Sequence, residues 1–167
     1  LSKAKGVEDL IEAFSMVNLN KAELWIVGHG PEEGILREIA ERTDKAKKIK
    51  FLGFVSYDDL PIIYKKAHIF VHPGRWPEPF SRTILEAMLA KLAIIASDSG
   101  APPEVLGDTG IIYETGNISE LSRRLEMLIN DNEMRNELGI RAYNKAIKDY
   151  TPDAITGRVI DEYKNLL

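Results

Sequence analysis

The feature that most constrains this chain is a series of five apolar runs, each about four residues long, separated by stretches with helical periodicity. The runs cover residues 24–27, 49–52, 69–72, 93–96 and 110–113. They are too short for helices, and most lack the polar–apolar alternation of a strand with one wet face. Strands of that kind are buried on both faces, as in a parallel sheet.

The intervening segments supply the covering layers. Val7, Leu10, Ile11, Phe14 and Val17 recur at helical spacing, which predicts an amphipathic helix over residues 6 to about 19. Residues 32–43 carry Ile35, Leu36 and Ile39 on one face. Ser56 to Asp59 offer N-cap and first-turn acids for a helix running to Lys66, with Pro61 tolerable in its first turn. Further helices are predicted over 80–91, 118–129, 134–148 and 152–167, with a short turn after Glu104. Ile155, Val159, Ile160 and Tyr163 give the final helix an apolar stripe. The pattern predicts one α/β domain over residues 1–167, a Rossmann-like three-layer parallel sheet with helices on both faces. A helix stands almost at the start of the sequence, as though a strand lay upstream, so a fragment is expected.

Composition narrows the function classes. The net charge of -4 supplies no basic field for nucleic acid or an anionic membrane. Cysteine is absent, which removes disulfides, thiolate chemistry and cysteine-ligated zinc, and fits a cytoplasmic location. No apolar opening segment resembles a signal peptide, and the most apolar stretch, residues 84–96, is broken by Glu86 and Lys91.

In open parallel sheets, ligands bind beyond the carboxyl ends of the strands and beside helix N-termini. The residues following each strand are therefore the informative ones. Gly28-His29-Gly30 follows the first run, but a dinucleotide fingerprint needs a third glycine at position 33, which is Glu33. Alone, this element fits a tight turn and a ligand contact equally. His72-Pro73-Gly74-Arg75-Trp76-Pro77-Glu78-Pro79-Phe80-Ser81-Arg82 leads into a helix bearing Glu86. On a single helix, two glutamates eight positions apart would sit ~12 Å apart and ~80° round the axis. Pro77 and Pro79 instead keep Glu78 in the loop while Glu86 lies within the helix. The free N–H groups of Phe80, Ser81 and Arg82 would then form an anion site between two carboxylates. That layout suits a phosphate flanked by two polyhydroxylated groups, the shape of a nucleotide-sugar. A solvated Glu78 and a helix-surface Glu86 are the plainer alternative, but Glu86 is embedded among Ile84, Leu85, Ala87, Met88 and Leu89. Lys5, at the start of the first helix, could reach a diphosphate or simply face solvent. Residues 97–104 fit ordinary turn chemistry, and His29, His68 and His72 are too few for a metal site. Trp76 could stack on a sugar face or pack within its loop.

Together these residues resemble the retaining glycosyltransferases of the GT-B architecture, family 4, which includes glycogen and sucrose synthases and lipid or lipopolysaccharide mannosyltransferases. The resemblance covers the C-terminal, donor-binding domain. It rests on Glu78 to Glu86 with Leu85-Glu86-Ala87-Met88, then Pro103-Glu104-Val105, Gly28-His29-Gly30, and Phe51-Leu52-Gly53 before an acidic helix start. It implies that Lys5 contacts the donor diphosphate and that Glu78 lies by the donor sugar at the reacting centre. Backbone amides of Phe80, Ser81 and Arg82 would hold sugar and phosphate, Glu86 the ribose hydroxyls, and Phe54 and Val55 the base. The donor would be a UDP-, GDP- or ADP-sugar, with no metal and no other cofactor. An N-terminal acceptor-binding domain would be the missing partner, and any membrane association would come through that half.

The sequence departs from the family pattern at Ser81, where glycine is usual, at Arg82, where an apolar residue is common, and at Gly100-Ala101-Pro102-Pro103, which replaces a double glycine. The family's diphosphate arginine would fall before Leu1, so the isolated domain is expected to bind donor poorly and to be inactive alone. Competing readings are a GT-B-like sugar epimerase or phosphorylase, and a non-catalytic nucleotide-binding module. A glycosidase would need both carboxylates to converge on one carbon.

Overall fold

The computed structural model describes residues 1–18 and 22–166. A 3-10 turn, Lys3–Lys5, leads into α1 (Val7–Met16). The order then runs β1 (Leu24–Val27), α2 (Glu33–Glu41), β2 (Ile49–Gly53), α3 (Leu60–Lys66), β3 (Ile69–His72) and α4 (Arg82–Leu89). It continues with β4 (Ala93–Ser97), α5 (Pro102–Leu106), β5 (Ile111–Tyr113), α6 (Ile118–Asn130), α7 (Asn132–Asp149) and α8 (Pro152–Asn165).

All strand pairs are parallel, as continuous apolar runs joined by helices require. The centre of the molecule is β4. Its sequence Ala-Ile-Ile-Ala-Ser is buried throughout, and its alternate side chains feed two cores. Ala93 and Ile95 pack with Leu10 and Ala13 of α1 and Leu121, Leu125 and Leu128 of α6. Ile94 and Ala96 pack with Ile84, Ala87 and Met88 of α4, Val105 and Leu106 of α5, and Ala142 and Ala146 of α7. Helices thus cover both faces, giving the expected three layers. A third core joins Ile11 and Phe14 of α1 to Ile26, Leu36, Ala40 and Ile49. Because Leu10 and Ile11 point to different cores, α1 is the joint between the two halves.

Among the described residues the ladders run β1-β2 and β3-β4-β5. Apolar runs specify strands but not their neighbours. Between the sheets lies a largely apolar groove of about 870 Å³, lined on one side by Leu24 and Ile26 and on the other by Ile69 and Val71.

Several boundaries move for local reasons. The first helix stops at Met16, because Val17 turns extended (φ -64°, ψ 122°) and buries its side chain. The remainder of its predicted span reaches residue 19, outside the described residues, as does the predicted end of α8 at 167. The closing helices are capped by side chains: Asn117 accepts from the Glu120 N–H, Asp131 from Met134 and Thr151 from Ala154. The stripe on α8 stays largely exposed. No helix among the described residues is long and apolar enough to cross a membrane.

Candidate functional site

The loop from Pro73 to Ser81 is held in place from two directions. On one side it meets the chain start. Arg75 and Trp76 donate their backbone N–H groups to the Ala4 carbonyl at 2.8 and 3.2 Å. Gly6 allows this approach: its φ is +63°, and a Cβ there would lie 1.8 Å from the Pro73 carbonyl oxygen. The Arg75 guanidinium also forks onto Asp9 of α1, with Nε donating to Oδ2 at 2.8 Å and the second nitrogen to Oδ1. Asp9 is almost completely buried, so this pair is a fixed joint. On the other side the loop meets the segment after β4. Ser97 donates its hydroxyl to the Gly74 carbonyl at 2.6 Å, and Ser99 donates to Arg75 at 3.2 Å. Glu78 forms a parallel bridge with Gly100, and its carbonyl accepts from the Ala101 N–H at 2.9 Å. Gly100 has φ +87°, and a Cβ there would sit 2.6 Å from the Glu78 nitrogen. The 97–101 segment, which the sequence left as a turn, is therefore the seat of Glu78.

That seat aims the Glu78 carboxylate at two groups. The Lys5 ammonium donates to Oε1, and His72 Nε2 lies 3.6 Å from Oε2. Partial burial works to raise the Glu78 carboxyl, but the Lys5 charge and His72 outweigh it and hold it below the usual carboxylate range. His72 is itself lowered: burial, which disfavours the imidazolium, exceeds the pull of Glu78. Its Nδ1 is buried without a hydrogen-bond partner. The sequence reading weighed His72 only as a metal ligand and gave Asp9 no role. Asp9 was accessible to it, since it shares a helical face with Ala13 and Val17, both buried.

Glu86 faces the groove. Tyr64 donates to its Oε2 at 2.9 Å and Tyr57 to its Oε1 at 3.1 Å. Gly28 and Val55, with Phe54 and Thr83, line the same groove. Gly28, Val55 and Glu86 are thus brought together, and Lys5 and Glu78 form a second group. Gly30 serves a different contact: a Cβ there would lie 2.1 Å from the Leu1 nitrogen, so it admits the chain start.

The amides between the two glutamates lie at the head of α4. The helix begins at Arg82 rather than Phe80, with Ser81 extended at its N-cap (φ -97°, ψ 106°). Leu85 makes the first helical hydrogen bond, to the Ser81 carbonyl at 3.3 Å. The first-turn N–H groups without a helical acceptor are therefore those of Arg82, Thr83 and Ile84. Arg82 opens that turn, and Phe80 and Ser81 lead directly into it. Phe80 packs edge-on to Tyr150 at 5.8 Å, and the Ser81 hydroxyl sits 3.1 Å from that of Thr83. Trp76 stands exposed beside the loop. Among the described residues no cluster of three or more histidine or acidic side chains is placed to hold a metal ion.

Comparison with known proteins gives concordant results. The model of the family described as glycosyl transferases group 1 matches residues 1–145. The chain is 28% identical over 166 residues to O-antigen chain mannosyltransferase B of Escherichia coli, covering 97% of this chain and 43% of that protein. It is 35% identical over 144 residues to a GDP-mannose-dependent monoacylated alpha-(1-6)-phosphatidylinositol monomannoside mannosyltransferase of Corynebacterium glutamicum, covering 81% and 37%. Among solved structures, Anabaena HepE in complex with UDP superposes with a TM-score of 0.88 at 25% identity, covering 99% of this chain and 46% of that one. The C-terminal domain of a group 1 glycosyl transferase (LpcC) from Francisella tularensis superposes at 0.81 with 26% identity, covering 91% and 83%. The chain spans less than half the length of these two curated relatives.

Proposed function

This chain belongs to the glycosyl transferases group 1 family, and on that premise we propose that it is the donor-binding domain of a retaining, family 4 enzyme. The observation that carries the reading is the placement of the two glutamates around the first turn of α4. Glu78 is seated in the loop beside Lys5, and Glu86 faces a groove shared with Gly28 and Val55. A nucleoside diphosphate sugar fits this arrangement with its phosphates at the free N–H groups of Arg82, Thr83 and Ile84. Its ribose would lie at Glu86, its base by Val55 and Phe54, and its sugar towards Glu78.

The reaction is transfer of a hexosyl group, mannosyl or glucosyl, with retention at the anomeric carbon. The bond from that carbon to the diphosphate oxygen breaks and the diphosphate leaves with the electron pair. The acceptor oxygen forms the new bond and passes its proton to the departing diphosphate. The difficult step is charge accumulation on the leaving group, which Lys5 and the α4 terminus counter with preorganised positive potential. Glu78, held ionised, orients sugar hydroxyls and stabilises positive charge at the reacting carbon. Lys5 must then share itself between Glu78 and the diphosphate. Lysine and the helix terminus do this without a metal or further cofactor. The acceptor would be supplied by an N-terminal domain, without which this domain is inactive, and the enzyme would work in the cytoplasm. The sugar epimerase and phosphorylase reading is not favoured by the relatives, which are glycosyltransferases.

The test is a titration with UDP, GDP and ADP, following heat and thermal stability. A ligand at a hundredfold excess over its Kd adds ~2.7 kcal/mol to native stability, so millimolar nucleotide reveals weak binding. One diphosphate should bind, and Glu86→Ala should abolish it. Binding unaffected by that substitution would overturn the assignment.

A further inference from the structure

Both oxygens of Glu86 are already occupied, by two phenols in different physical states. Tyr64 lies on α3, half-buried, with its ring against Phe70 at 6.1 Å and packed onto the core that contains Ile84 and Met88. Its phenol is pushed well above the ordinary tyrosine range, first by burial and then by the Glu86 carboxylate. It is therefore a permanent donor to Oε2. Tyr57 sits in the loop before α3, two residues after Val55, and is 72% exposed. Its hydroxyl reaches Oε1 from the solvent side of the groove. A carboxylate has about four acceptor positions, and a vicinal diol brings two donors. The two phenols leave about one acceptor position on each oxygen, and of the two only the exposed Tyr57 can swing aside to seat a diol across both, because Tyr64 is held by Phe70 and the core.

We propose that the two tyrosines have opposite effects on donor binding: Tyr64 is a positioning residue that fixes the Glu86 carboxylate, and Tyr57 is a displaceable cover whose hydroxyl a ribose hydroxyl replaces. The inference rests on the reading of Glu86 as the ribose ligand. Exchange of one hydroxyl donor for another at Oε1 is nearly balanced in hydrogen bonding, so the net cost is the reorientation of an exposed side chain. Removing the Tyr57 hydroxyl removes that competitor. Removing the Tyr64 hydroxyl frees the carboxylate to leave the geometry the diol needs.

The experiment compares a ribonucleoside diphosphate with its 2′,3′-dideoxy counterpart, using whichever of UDP, GDP or ADP binds the chain. Wild type, Tyr64→Phe, Tyr57→Phe and Glu86→Gln are titrated, with melting curves to verify folding. Wild type should prefer the ribose form. Tyr64→Phe should lower that preference ~5- to 10-fold, the equivalent of about one hydrogen bond. Tyr57→Phe should tighten the ribose form ~2- to 5-fold and leave the dideoxy form unchanged. A Tyr64→Phe protein that weakens both forms equally has a merely structural tyrosine, and Tyr57→Phe weakening the ribose form makes Tyr57 a ligand. Either result overturns the proposal while leaving Glu86 in place. If Glu86→Gln leaves the preference intact, or no diphosphate binds, the ribose reading fails and the proposal falls with it.

Discussion

The two sheets of this molecule are built differently. In β3-β4-β5 the central strand is buried along its whole length and has helices on both faces. In β1-β2 only Ile26 and Ile49 are buried, and Leu52 reaches solvent. The functional residues divide accordingly. Glu78, Glu86 and the first turn of α4 grow from the fully covered half, whereas Gly28 and Val55 are carried by the lighter one. Under the proposed assignment, the groups that must position charge, Glu78 and the head of α4, stand on the more deeply buried part, and the groups proposed to meet the base stand on the more open one.

The largest test of that contrast compares truncations in the two halves. Ile95→Ala should cost ~3–5 kcal/mol of unfolding free energy, as expected for a fully buried isoleucine, against ~2–3 for Ile26→Ala at the edge of the groove. Equal losses in denaturant unfolding would break the comparison. Next is the joint that ties the loop bearing Glu78 to α1. Arg75→Ala strands the buried Asp9 carboxylate and should cost ~2–3 kcal/mol, at the low end for a buried pair because the guanidinium is itself partly exposed. Gly100→Ala should cost ~1–3 kcal/mol through its positive φ and the clash with the Glu78 backbone. It should also weaken catalysis in the full-length enzyme more than a comparable loss of stability elsewhere.

A subtler test uses pH. His72 and Glu78 both have lowered proton affinity in the native state, so the unfolded chain binds more protons and stability rises with pH. The His72 contribution is present above the ordinary histidine value of 6.5 and is lost as pH falls below it. The Glu78 contribution is lost below 4.5. His72→Asn should flatten the stability profile just below 6.5 and weaken the acid limb without abolishing it, because Lys5 still lowers Glu78; an unchanged profile would remove His72 from the group. The smallest effect belongs to the lighter half. Arg37→Ala removes a surface i,i+4 pair with Glu33 and a guanidinium 4.5 Å from the Phe51 ring centre, and should cost ~0.5–1 kcal/mol.

Much of this was legible in the sequence. Every strand and every major helix follows from apolar runs and helical spacing, and prolines correctly kept Glu78 out of α4. What escaped depends on distance in sequence. Asp9 and Arg75 are 66 residues apart, and Tyr64 and Glu86 are 22 apart, so no periodicity links them. The α4 start was placed two residues early because the proline-rich loop hides its end, although Ser81 is a favourable N-cap residue. Which strand pairs with which was beyond reach because pairing is decided by tertiary packing, not by the composition of each strand.

The central claim is that the free amides at the head of α4 meet the donor's phosphates between Glu78 and Glu86. Hydrogen exchange measured by NMR, with and without saturating nucleoside diphosphate, tests it most directly. The account predicts slowed exchange at Arg82, Thr83 and Ile84 together with the loop at Gly28. Binding that leaves those amides unprotected, and protects another surface instead, would contradict it.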